Sequence, residues 1–292
     1  MKRTRNTPKP LAILTADWHL REDKPVCRMD DFWAAQWEKV DFIKDLQERY
    51  DCPVVHAGDL YHHWKPSPYL LSETIEHLPK QFYTVYGQHD LPQHNLDLAF
   101  KCGINTLEAA EALTILPACH WGMVPDKLGV WWEVAGHKIL VWHYLVIERG
   151  DILRGFVDHS ELPVKILRRL EEYKLIVTGD NHKSFCEEFQ GRFLVNPGSL
   201  TRQAADQINH IPCVWLWYGD GVEQIFLPSE RDVISRDHIE VQEQRDKRID
   251  AFVSRLDGDW NVGMSFEQNL EEFFKVNQIR DSVKQIIYKA IE

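Results

Sequence analysis

Carboxylates and imidazoles recur together in five short segments: Asp17-Trp18-His19, Gly58-Asp59-Leu60-Tyr61-His62, Gly87-Gln88-His89-Asp90, Trp142-His143 and Gly179-Asp180-Asn181-His182. Mixed oxygen and imidazole donors suit Mn²⁺, Fe²⁺ or Zn²⁺, and the lack of cysteine among them argues against a structural zinc site. Residues two apart on an extended strand point to one face, so Asp17 and His19 can approach one ion from one side if the strand geometry persists. Asp180 and His182 have the same spacing. The glycines before Asp59, Gln88 and Asp180 let the backbone turn sharply at these points. Each segment taken alone has an ordinary explanation, a capped turn or a satisfied core histidine. Five of them together point to a metal centre.

The elements that must position these groups alternate in the first half of the chain as an α/β fold does. Leu11 to Asp17 reads as a buried strand and Phe32 to Tyr50 as a helix, with Phe32, Ala35, Val40, Ile43 and Leu46 on one face. Pro53 to Asp59 is a second strand, Tyr69 to Leu78 a helix and Phe82 to Gly87 a third strand. Every one of these strands stops at a polar, His-containing segment. Ligands gather beyond the carboxyl ends of strands in open α/β sheets, so the segments should converge. The second half reads as mostly β: a hairpin from Trp131 to Val134 and Lys138 to His143, then strands at Lys174 to Thr178, Arg192 to Val195, Val214 to Tyr218 and Glu223 to Phe226, the last two joined at Gly219-Asp220-Gly221. After Pro228 the pattern becomes charged and helical, at about 243–256, 265–275 and 277–291, which sets a boundary near residue 230.

At 292 residues and 44% hydrophobic content the chain can bury a sizeable core. No apolar run approaches the roughly 18 residues of a transmembrane helix, and MKRTRNTPKP is basic but leads into a strand, not a cleavable apolar segment. Six scattered cysteines form no CxxC pair, as suits free thiols in a reducing cytoplasm. The net charge of −11 disfavours a protein that grips DNA by bulk charge, though not one whose metals supply positive charge locally. Fourteen histidines are many for such a chain; His63, His94, His120, His137, His159 and His210 lie outside the five segments and are read as non-functional. Most of the eleven tryptophans are read as core, with Trp18 and Trp64 beside the motifs as candidates to stack on unpaired bases.

In this order the five segments resemble the calcineurin-like metallophosphoesterases. The closer resemblance is to the Mre11/SbcD nuclease branch, carried by residues 11–19, by GDLYHHWKPSP at 58–68 and by the late Asn196-Pro197-Gly198-Ser199 turn. It covers roughly residues 10–228. It implies a four-layer α/β/β/α sandwich, with a catalytic domain at 1–229 and a short helical appendage at 230–292. It also implies two divalent ions, Mn²⁺ or Mg²⁺, bridged by Asp59. Asp17, His19 and His182 would complete the first ligand set, and Gln88, His143 and Asp180 the second. His89 would assist the leaving oxygen, with Asp90 holding its tautomer, and His62 would help place DNA. A Rad50/SbcC-like ATPase and homodimerisation follow from the same resemblance, the tail serving as cap or docking helix.

Two positions depart from that pattern: Gln88 stands where the family has Asn, and Asp180 where it has His. Both fall on the second ion, so they read as one adjusted, more oxygen-rich site with less net positive charge. A small-nucleotide phosphodiesterase is the rival activity, which the acidic charge favours slightly. A weakened, non-catalytic adaptor for an ATPase is the rival from another class. A phosphoprotein phosphatase is disfavoured, because GDLYHHW replaces the GDxVDRG of that branch.

Overall fold

The apolar runs of the sequence become strands buried on both faces, which is why they read as continuous and not alternating. In the computed structural model, residues 9–125, 132–148, 162–237 and 265–291 are described, together with Ile239, Lys247 and Ile249. The helical pattern expected at 243–256 falls almost wholly outside them, as do Trp131 and His159.

Two sheets form. In the first, β1 (Ala12–Thr15), β2 (Val54–His56), β3 (Phe82–Thr84) and β4 (Thr114–Ile115) run parallel, and β10 (Cys213–Trp217) and β11 (Val222–Phe226) add antiparallel strands beyond β1. In the second, the order is β5 (Trp132–Val134), β6 (His137–Trp142), β7 (Leu175–Thr178), β9 (Arg192–Asn196) and β8 (Phe185–Phe189), with β6, β7 and β9 parallel. Alternate residues divide between two cores. Ala12, Leu14 and Val55 meet Ile139, Val141, Leu175 and Val177 in the layer between the sheets. Ile13 and Val54 face outward and pack on Trp37, Val40 and Ile43 of α1 (Phe32–Tyr50). On the outer side of the second sheet, Leu140, Ile176 and Leu194 pack on Ile166 and Leu167 of α4 (Pro163–Arg169). The result is the expected α/β/β/α sandwich.

The first two helices begin at side-chain caps. Asp31 accepts the Ala34 N–H at the start of α1. Ser67 does the same for Leu70 at the start of α2 (Pro68–His77), with Pro68 in the first turn, so the KPSP run is a helix start. Three short elements are not legible in the sequence: α3 (Gly103–Ala109), α4 and the two-residue β4. Neither is β8, Phe-Cys-Glu-Glu-Phe, whose edge position lets it carry charge. The chain divides into two compact units, 1–235 and 236–292. In the second, the helices Phe266–Val276 and Asp281–Ile291 are linked by an edge-to-face contact of Phe274 and Tyr288 and by a Tyr288–Glu271 hydrogen bond. No helix among the described residues is long and apolar enough to cross a membrane.

Candidate metal centre

The five segments meet at the carboxyl ends of β1, β2, β3, β6 and β7. Backbone pairing continues past β1 and β2 and closes the first two segments together: Asp17 N–H donates to Gly58 O at 3.0 Å, His19 N–H to Asp59 O at 3.0 Å and Leu20 N–H to Leu60 O at 2.9 Å. Extended geometry does not persist, however. Asp17, His19, Asp59 and Asp180 all have positive φ, at 50°, 46°, 58° and 74°. The strand-face argument for Asp17 and His19 therefore fails in its mechanism. Left-handed turns, each costing about 1–2 kcal/mol for an L-residue, aim these side chains instead. Of the three glycines, only Gly58 supplies a left-handed turn, at φ 95°. Gly87 is there for space, since a Cβ would stand 2.1 Å from Asp59 Oδ1.

Three clusters of donor atoms form among the described residues: Asp17, His19 and His182; Asp17, Asp59 and His143; and His19, His62 and His89. Asp59 Oδ2 lies 3.5 Å from His143 Nε2 and 3.7 Å from His19 Nε2, which puts one carboxylate oxygen between two imidazoles. His19 Nε2 and His182 Nε2 are 3.1 Å apart. Lone pairs facing each other at that distance need a proton or a cation between them. His143 donates from Nδ1 to Ala57 O at 2.7 Å, which leaves Nε2 as the donor atom offered inward. That nitrogen and Asp59 Oδ2 are buried without any hydrogen-bond partner, as is His19 Nδ1. Orphaned donors of ligand type, converging in this way, fit divalent cations.

The electrostatics agree. Burial, with the Asp59 charge adding to it, pushes Asp17 well above the usual carboxylate range, and burial with Asp90 nearby does the same to Asp59. Burial, then His182, holds His19 well below the usual histidine range, and burial takes His182 and His62 down to about 4. His89 is lowered too, chiefly by burial. Acids are driven up and imidazoles down because ionisable groups gathered out of water resist charging. A divalent ion stabilises the carboxylates and takes neutral imidazoles as ligands.

His89 belongs to the third cluster, its ring edge-on to His19 at 4.9 Å and stacked on His62 at 5.5 Å. Its N–H donates to Asp59 Oδ1 at 2.8 Å, and its Nδ1 is held by the His62 carbonyl at 3.0 Å. The expectation that Asp90 fixes this tautomer is therefore corrected. The Asp90 carboxylate is fully buried and accepts the N–H groups of Asp59 (2.8 Å), Gly87 (2.9 Å) and Tyr61 (3.1 Å). It organises the backbone carrying Asp59 and does not face the His89 ring. Trp18 is also corrected: it is fully buried, bonded to Thr15 Oγ1, and part of the core.

The two departures touch. Gln88 Nε2 donates to Asp180 Oδ1 at 3.0 Å, and Asp180 belongs to none of the three clusters. The Asp180 N–H in turn donates to both oxygens of Asp17, at 3.0 and 3.1 Å. Gln207 was not foreseen. It sits in a short 3₁₀ turn, Ala205–Asn209, with no motif to mark it, yet its amide nitrogen braces His182 Nδ1 at 3.0 Å. The Asn196–Ser199 turn cradles the same loop. Asn196 Nδ2 donates to Lys183 O at 2.7 Å, and a Cβ on Gly198 (φ 77°) would meet His182 O at 2.8 Å.

Among solved structures, an archaeal phosphodiesterase aligns at 14% identity and TM-score 0.44, over 74% of this chain and 99% of that one. A Vps29 variant from Entamoeba histolytica aligns at 13% identity and TM-score 0.37, over 74% and 99%. A predicted phosphoesterase from Streptococcus pneumoniae TIGR4 aligns at 14% identity and TM-score 0.34, over 74% and 96%. No curated protein matches the chain. The family profile of the calcineurin-like phosphoesterase superfamily domain matches residues 13–214, which run from β1 into β10 and include every cluster residue. The chain thus belongs to the calcineurin-like phosphoesterase superfamily and is a metal-dependent phosphoester hydrolase.

Proposed function

We propose that the hydrolase is a Mn²⁺-dependent DNA nuclease. The observation that carries this reading is His62, the residue that marks the nuclease-like extension of the second segment. Its ring lies 5.5 Å from that of His89 and 5.9 Å from that of His19, at the edge of the ligand clusters. Asp17, His19, Asp59 and His182 would hold one ion, and Asp59, Gln88, His143 and Asp180 the other. Bound there, the ions supply an acidified water and neutralise charge on the phosphoryl oxygens. The protein's own part is positional. Asp90 fixes the main chain behind Asp59, and the His62 carbonyl fixes the His89 ring by accepting from Nδ1, so His89 can pass a proton from Nε2 to the leaving oxygen only in its charged, imidazolium form.

The test is gel-resolved digestion of labelled single- and double-stranded DNA with Mn²⁺, run beside hydrolysis of a small nucleotide ester. Oligonucleotide cleavage that disappears on chelation is expected. Hydrolysis of the ester with intact DNA would replace this reading by the small-nucleotide phosphodiesterase. Docking of a Rad50/SbcC-like ATPase on the tail is a second proposal, favoured by the exposure of Phe266, Val276 and Ile286 on the terminal helices. Truncation after about residue 260 should leave cleavage of short DNA intact and abolish recovery of the complex. Cleavage lost with the tail would assign it to the catalytic unit instead.

A further inference from the structure

Beside the metal centre lies a groove of about 720 Å³ whose lining includes Asp180 and His182 as well as Ile211 and Phe226. The volume lies within the usual range for sites that enclose a small organic ligand, about 300–1,000 Å³. Its chemistry is wrong for a phosphate path. No arginine lines it, and Asp180 and Asp206 set two carboxylates against the one lysine, Lys183. The charged contacts to phosphate in nucleic-acid sites come from arginine and lysine.

Two of the lining side chains are large, apolar and open. Phe226 and Ile211 are each 56% exposed, and Phe226 pairs with Cys213 at the end of the β10–β11 ribbon, so its position is set by sheet register. Large apolar side chains exposed together inside a groove beside a reactive centre mark a contact surface. Flat π-faces suit bases of any sequence, and aromatic residues serve as platforms for unpaired ones. The floor is already rigid: His210 donates to Ser199 O at 2.7 Å, and Gln207 joins Ser199 Oγ to His182.

We infer that this groove is a nucleobase subsite, in which the base next to the scissile phosphate of an unpaired strand stacks on Phe226. The inference rests on the nuclease reading and deepens it, since it makes single-stranded or frayed DNA the preferred substrate. Phe226 lies on β11, outside the clusters and the residues that brace them, so its replacement reports on the base.

The experiment is a double-substitution cycle between protein and substrate, with Mn²⁺-loaded full-length protein and a labelled single-stranded oligonucleotide. One arm is Phe226→Ala; the other is the same oligonucleotide with an abasic residue beside the cleaved bond. Loss of one base–aromatic stack is worth about ten- to a hundredfold in binding. Each change alone should raise KM by at least about tenfold with kcat little altered, and the two together no more than either alone. Phe226→Trp should restore the wild-type KM. Multiplicative effects, or an unchanged KM in Phe226→Ala, would overturn the subsite while leaving the nuclease reading intact. Absence of oligonucleotide cleavage by the wild-type protein would remove both.

Discussion

Gly87→Ala is the sharpest probe of the centre, because it adds one methyl group at the point where the Asp59 carboxylate is held. The new Cβ would stand 2.1 Å from Asp59 Oδ1, 2.4 Å from Asp59 N and 2.6 Å from Asp59 Cγ. Carbon and oxygen do not normally approach within about 3.3 Å, so the two backbones must part by roughly 1 Å. The φ of Gly87 is not in the left-handed region, so the change is purely one of space. Ligand distances are set to within about 0.2 Å, and a 1 Å misplacement near the chemistry can cost about 10²-fold. Overpacking costs about 1–3 kcal/mol, so the melting temperature should fall by roughly 3–10 °C without loss of the fold. The assay is kcat with Mn²⁺, together with metal analysis of the dialysed protein. Gly221→Ala, where a Cβ meets nothing within 4 Å, is the control. Retention of activity within about threefold and of full metal content would refute the placement of Asp59 as the shared ligand.

Asp59→Asn should remove activity more completely than any other single ligand change, because Oδ2 of Asp59 lies 3.7 Å from His19 Nε2 and 3.5 Å from His143 Nε2; near-normal Mn²⁺-dependent turnover in this variant would end the two-metal assignment. His89→Gln should lose about 10² to 10⁴ in rate while both ions stay bound, and a missing ion on metal analysis would make His89 a ligand instead. Gln88→Asn and Asp180→His should each weaken Mn²⁺ titration of activity, with the double change recovering it. Their 3.0 Å contact predicts a coupling above about 0.5 kcal/mol, and additive shifts would show two independent positions. Chelation should lower the melting temperature: saturation to about 100 times Kd contributes about 2.7 kcal/mol, and an unchanged melt in excess chelator would count against resident ions.

Donor identity was legible in the sequence because ligand chemistry demands particular side chains, and Asp17, His19, Asp59, His143 and His182 announce themselves by type and by their place after apolar strands. Strand and helix alternation was legible for the same reason: long buried elements leave continuous patterns in the chain. What the sequence could not decide was direction. Left-handed φ at Asp17, His19 and Asp59 goes with backbone pairing beyond β1 and β2, made across about 40 residues, and at Asp180 with an N–H bond to Asp17 made across 163 residues. Asp90 looked like a partner for its neighbour His89, and only the folded loop shows its carboxylate turned under the backbone of Asp59 and Tyr61. Gln207 left no trace at all, because a lone glutamine in a short turn acquires its role only when β9 and β10 bring that turn against His182. Side-chain type is written locally, whereas the orientation of a buried polar group depends on which distant N–H or ring it finds when the layers close.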